Sequence, residues 1–385
     1  MQTENLYDER VQLYLDTLHH KRIKRVPSYL MTDALYAVQY KDQSLKKATY
    51  DPEVVLNCME KMLSEVPCDG VGNIYTKGAM FYRVLESKNY VQSQEGFLQH
   101  PEIYTLEAEE MQELAENAFK TIAEKVLPRS LGKMDISFPM NVYTMMKAQM
   151  GNAAYLGTLV GGKQTVGVKT NVPLVYTNLT KAPLDYIGSS VRGLVELFKD
   201  LRRNKDAVLR SCDALLPLLE ATGELGFKAP DRQFPFIFMP TLIPHFLKTK
   251  DFEKFYFPTF KKLIKNLADK GFNFVIQFEG NWERFYHCLQ ELPKNKIFGI
   301  FEFGDPKLAK EMLGDTMIVS GFYPLTLLGM GSEQECIDKA KEVMDILAPG
   351  GSYIFTTDKQ LTNIKDANPE NLKALYQFVR EYGIY

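Results

Sequence analysis

Phe236-Ile237-Phe238-Met239-Pro240-Thr241 and Phe274-Val275-Ile276-Gln277-Phe278-Glu279 are the two runs that decide the fold. Each is a short apolar strand with a polar residue at its end, and an amphipathic helical pattern follows. The unit recurs at Phe298 to Phe303, Met317-Ile318-Val319 and Tyr353-Ile354-Phe355. Strands that are apolar on both faces and alternate with helices form a parallel sheet covered by helices. In such folds the chemistry sits on the loops after the carboxyl ends of the strands. The expected architecture is therefore α/β, one eight-stranded (β/α)8 barrel spanning residues 1–385. Helical additions precede it, residues 1–25 forming an N-terminal extension.

Composition narrows the function classes. The 385 residues are 45% hydrophobic and 12% aromatic, ample for a large core. With 46 basic and 48 acidic residues the net charge is −2, which gives no electrostatic case for nucleic acid. Cys58, Cys68, Cys212, Cys288 and Cys336 are widely and irregularly spaced, arguing against a disulfide framework and for a reducing compartment. Met1 to Arg10 is polar and acidic rather than a signal peptide, and no run reaches the roughly 20 apolar residues of a membrane helix. A cytoplasmic protein with no membrane partner is expected.

Helix starts are well marked by Asp51-Pro52, Asp305-Pro306, Asn368-Pro369 and the capping box Ser332-x-x-Glu335. A helical period runs from Glu109 to Val126, and Phe252 to Asp269 ends at Gly271. Residues 150–173, with glycines at 151, 157, 161, 162 and 167, read as a hairpin excursion over the barrel mouth. Gly157-x4-Gly162-Lys163 has the spacing of a phosphate loop, but Gln164 stands where Ser or Thr should hold magnesium, and Thr165 to Val168 reads as strand. Gly329-x-Gly331 is explained as a turn before the capping box. The basic run His19-His20-Lys21-Arg22 reads as a solvated helix end. His287 and Cys288 are adjacent, so their side chains should leave a helix about 100° apart and not share a metal.

The strand ends carry the candidate chemistry. Glu279 follows an apolar strand and precedes Gly280-Asn281-Trp282. A carboxyl group there can have a raised pKa and act as a proton donor, or ligate a metal. Asp358 ends the last strand in the same manner, and His245 lies in the loop after the Phe236 strand.

Several short motifs, in order along the chain, resemble the uroporphyrinogen decarboxylase superfamily. They are Arg25-Val26-Pro27, Val126-Leu127-Pro128-Arg129, Phe252 to Pro258, Gln277-Phe278-Glu279-Gly280, Leu313-Gly314-Asp315, Gly350 to Ile354 and Asn368 to Leu375. The resemblance implies a (β/α)8 barrel and one of two chemistries: decarboxylation of a porphyrinogen, or methyl transfer to or from a cobamide on a partner protein. An eight-carboxylate porphyrinogen calls for arginines, yet no arginine lies between Arg25 and Arg83, and Asp33 is an acid in that stretch. The superfamily's thiol-directed zinc site would need His-x-Cys and a distant Cys, where this chain has Gln277-x-Glu279 and Asp358.

The resemblance is nearest to the branch that demethylates methoxylated aromatics or similar small donors. It implies a methyltransferase passing methyl between a small donor and a corrinoid carrier protein. Glu279, with His245, would assist the leaving oxygen. Trp282, Phe322 and Tyr323 would wall an aromatic substrate, with Asp358 beside it. No tightly bound cofactor is expected, the cobamide coming from the partner. Glu279, Asp358 and His245 are the candidate ligands for zinc or another divalent metal. The alternatives are a carboxy-lyase with Asp33 as its acid, and a barrel that binds without catalysing.

Overall fold

The computed structural model describes residues 6–225 and 232–385; Met1 to Asn5, at the start of the expected extension, lie outside them. Seven short parallel strands organise the chain: β1 (Tyr29–Leu30), β2 (Gly70–Val71), β3 (Tyr176–Leu179), β4 (Phe236–Thr241), β5 (Phe274–Asn281), β6 (Ile297–Phe303) and β7 (Ile318–Gly321). Strands β3 to β7 form one continuous five-stranded parallel sheet in chain order. Strand β1 pairs with β2 in parallel. Isolated parallel bridges complete the circuit: Val71 with Leu174, Tyr323 with Thr357, and Ser28 with Phe355. Residues 353–357 thus take the eighth position, and the order of the ring follows the order of the sequence.

Side-chain parity explains why both strand faces are apolar. Tyr29, Met31, Val175, Phe236, Phe238, Val275, Phe298, Ile300, Ile318 and Ile354 make one buried cluster inside the ring. Their alternates, among them Ile237, Met239, Phe274, Ile276, Ile297, Val319, Tyr353 and Phe355, join the larger cluster under the helices. Helix α1 (Leu6–Leu18) closes the amino-terminal end of the ring. Its Tyr14 and Leu18 belong to the interior cluster, and the Tyr14 hydroxyl donates to the Ser28 carbonyl at 2.8 Å. Beside it the buried Asp69 accepts from Arg25 Nη2 at 2.7 Å and from the Ser28 amide at 3.0 Å.

Other elements differ from the sequence reading. Residues 150–173 are not a hairpin: Met140–Thr170 is a single 31-residue helix, and the supposed strand Thr165 to Val168 is its last turn. Gly157 and Gly161 face open space, whereas Gly151 and Gly162 serve close packing. A Cβ on Gly162 would sit 2.3 Å from Leu56 Cδ1, on the helix Pro52–Glu65 packed against it. The helical period of 109–126 is interrupted at Asn117, whose side chain caps a new start by accepting from the Lys120 amide. The capping box at Ser332 and Glu335 is formed in both directions. Among the described residues no helix is long and apolar enough to cross a membrane.

Candidate active site

Continuing the inward parity past the apolar layers brings Gln277 and Glu279 from β5, Glu302 from β6, Asp358 from the eighth segment and Asp33 after β1 toward the carboxyl end of the ring. Glu279 is the centre of this group. Burial raises its pKa to about 7, Asp185 and Glu302 push in the same direction, and Lys181 and Lys359 oppose them. Its backbone is fixed from behind, because the Trp282 indole N–H donates to the Glu279 carbonyl at 3.0 Å. Gly280 follows at φ +76°, where an added Cβ would lie 2.1 Å from His245 Nδ1. The missing side chain lets the exposed His245 ring lie directly beside Glu279's chain.

Glu302 joins the two sides of the mouth. One of its carboxylate oxygens accepts from the Gly280 amide at 2.6 Å, and the other pairs with Lys359 Nζ at 2.6 Å. Asp358 is buried, accepts from the Leu325 amide at 2.8 Å, and has its pKa raised to about 6, chiefly by burial. Asp33 caps the helix Ala34–Tyr40 through the Leu35 amide at 2.7 Å, and burial raises its pKa too.

Two lysines from mouth loops complete the electrostatics. Lys77, after β2, lies over the Tyr90 ring at 4.8 Å, and Tyr90 meets His100 edge-on at 4.7 Å. Lys181, two residues after β3, donates to Ser189 Oγ at 2.8 Å. Burial lowers the pKa of both; Asp33 opposes this at Lys77, and at Lys181 Asp185 and Glu279 oppose it while Lys77 adds to it. Asp185 is buried under the turn after β4. It accepts from the Leu242 and Ile243 amides at 3.1 and 2.8 Å and from the Tyr256 hydroxyl at 2.6 Å. Sequence reading missed Lys77, Lys181 and Asp185; their placement just beyond β2 and β3 was the available signal.

The aromatic wall requires correction. Trp282 is fully buried on the outer side of the sheet, packed among Phe252, Phe278 and Phe285. Tyr323 is likewise buried, its hydroxyl donating to the Cys336 carbonyl at 3.2 Å. Phe322 is buried as well: left-handed backbone at Gly321 and Phe322 breaks the strand alternation, and its ring stacks on Phe301 at 5.7 Å in the cluster under the helices.

Glu279, Asp358 and His245 do not form a group of converging ligands. Among the described residues one trio does: Glu253, His287 and Cys288, outside the mouth. A thiolate zinc site at the strand ends does not fit, since all five cysteines are buried and none ends a strand of the ring.

A parallel α/β ring with a half-buried carboxyl of raised pKa at the carboxyl end of a central strand defines a barrel whose chemistry belongs at its mouth. The family model of uroporphyrinogen decarboxylase (URO-D) matches residues 177–382, and the chain belongs to that family. Among solved structures, a methyltransferase from Methanosarcina mazei superposes with a TM-score of 0.61 at 14% identity, over 97% of this chain and 98% of that one. A search of curated proteins finds no significant match.

Proposed function

We propose that this protein is a methyltransferase that moves a methyl group between a small donor, of the methoxylated aromatic type, and a corrinoid carried by a partner protein. The observation that carries this reading is Glu279, a carboxyl group that keeps its proton close to neutral pH at the end of β5. An ether oxygen is a poor leaving group unless it is protonated as its bond to carbon breaks. Glu279 can donate that proton, and Glu302 beside it is paired with Lys359. When docked, the partner's reduced corrinoid supplies the nucleophile for the methyl carbon. Lys77 and Lys181 offer a cationic side at the mouth for an acidic substituent. The likeness to the Methanosarcina mazei structure supports the fold on which this reading rests.

The same two lysines favour a second reading, a carboxy-lyase acting on a small acid with Asp33 as proton donor. The two are separated by one experiment. The protein is incubated with reduced corrinoid carrier and aromatic methyl ethers, methylamines or betaines, and the methylcobamide spectrum is followed. Methylation that is lost in Glu279→Gln supports methyl transfer. Carbon dioxide release from an acid substrate, with no methylation, would replace it with the lyase.

A further inference from the structure

The outer wall of the barrel carries a cluster that the mouth chemistry does not use. Glu253 sits in the widened helical turn Phe252–Tyr256, and His287 and Cys288 sit in the short helix Tyr286–Leu289. His287 Nε2 lies 3.1 Å from Glu253 Oε1 and 3.2 Å from Cys288 Sγ. The three donor atoms all fall within 4.8 Å of one another. The expected 100° separation of neighbouring helical side chains does not keep these two apart: the helix is only four residues long, and the imidazole nitrogen reaches the thiol.

Both contacts fall on one ring nitrogen. A thiol–imidazole–carboxylate relay needs the thiol on one nitrogen and the acid on the other, so a nucleophile triad is ruled out by the geometry. Donors that converge on a single point are what a cation requires. Bond lengths of about 2.0–2.3 Å to nitrogen, oxygen and sulfur place a zinc ion within reach of all three after small side-chain shifts. One thiolate, one imidazole and one carboxylate form a borderline donor set that suits zinc or cobalt over magnesium or calcium. The acids Glu253 and Glu291 both face the thiol, so the local field is negative.

We propose that Glu253, His287 and Cys288 bind one zinc ion, with the fourth position open to water, as a clamp on the wall behind the active site. The clamp would join two segments already in contact: Phe252 stacks on Phe285 at 4.0 Å, and Arg284 donates to the His245 and Leu247 carbonyls at 2.8 and 3.0 Å. These segments hold His245 and, through Trp282, the backbone of Glu279.

The test is a cobalt(II) titration of the chelator-stripped full chain, followed by absorption and by thermal melting with zinc. One equivalent of cobalt with a thiolate-to-metal charge-transfer band is expected. Cys288→Ser should abolish the band. The surface changes His287→Ala and Glu253→Gln, which leave the core intact, should each weaken binding by at least about tenfold and remove most of the zinc-dependent rise in melting temperature. Absence of a thiolate band in the wild type, or a band and melting shift that persist in His287→Ala and Glu253→Gln, would overturn the assignment. None of these readouts depends on turnover, so the result is independent of the reaction proposed for the mouth.

Discussion

Glu279 has its pKa raised because three surroundings act together: a half-buried position, the charges of Asp185 and Glu302, and lysines too weakly placed to offset them. Its folded pKa of about 7 lies above the ordinary 4.5, so the folded state binds the proton more tightly than the unfolded chain. That advantage is complete below pH 4.5 and is lost as pH rises through 7. Above this range, ionising the group costs on the order of 3 kcal/mol. Glu279→Gln, neutral throughout, is predicted to match the wild type below pH 4.5 and to be more stable above pH 7, as read by urea denaturation. In the same variant turnover should drop by about 10²–10⁴-fold, the usual range for a lost general acid. For the wild type, kcat should decline as pH rises through about 7. A flat profile from pH 6 to 8.5 would remove Glu279 from the proton-donor role.

At the scale of elements, Asp185 shows how a turn is held. It sits at the start of the helix Pro183–Tyr186 and satisfies two amides of the turn after β4 as well as the Tyr256 hydroxyl. Asp185→Ala would leave three buried donors without an acceptor, each costing about 1–3 kcal/mol. A fall in stability of several kcal/mol is expected, with Asp185→Asn milder because its amide oxygen still accepts. Nothing local in the sequence announces this role, since the amides it serves lie 57 and 58 residues away.

The strands β4 to β7 were legible because a parallel strand buried on both faces leaves an uninterrupted apolar run. The helix Met140–Thr170 was not, because glycine and β-branched residues argue against a helix until its neighbours are known. Ala148, Tyr155, Leu159 and Val166, the buried residues along it, do recur at helical steps. That stripe was the signal the glycines obscured. At the mouth, Glu279 and Asp358 were legible by address, whereas Trp282, Phe322 and Tyr323 were misassigned because address says nothing of which face a residue takes.

For the whole molecule, the ring is closed at its amino-terminal end, where α1 meets the interior. Tyr14 is fully buried there, and Gly70 is small so that its ring can approach: an added Cβ would lie 2.6 Å from the Tyr14 hydroxyl. Tyr14→Ala should cost about 3–5 kcal/mol by opening a cavity. Because Tyr14 is far from the strand carboxyl ends, the surviving folded protein should keep its KM. A raised KM with unchanged melting temperature would contradict this division of labour.

The same packing makes the barrel a cul-de-sac. With Tyr14, Leu18 and the apolar layers stoppering one end, the doorway to Glu279 is expected at the carboxyl end of the strands. A carrier protein seated over that doorway would shut the small donor in or out. Under the proposed methyl transfer, initial-rate kinetics are therefore expected to show a compulsory queue, the donor entering first and the demethylated product leaving only after the carrier departs.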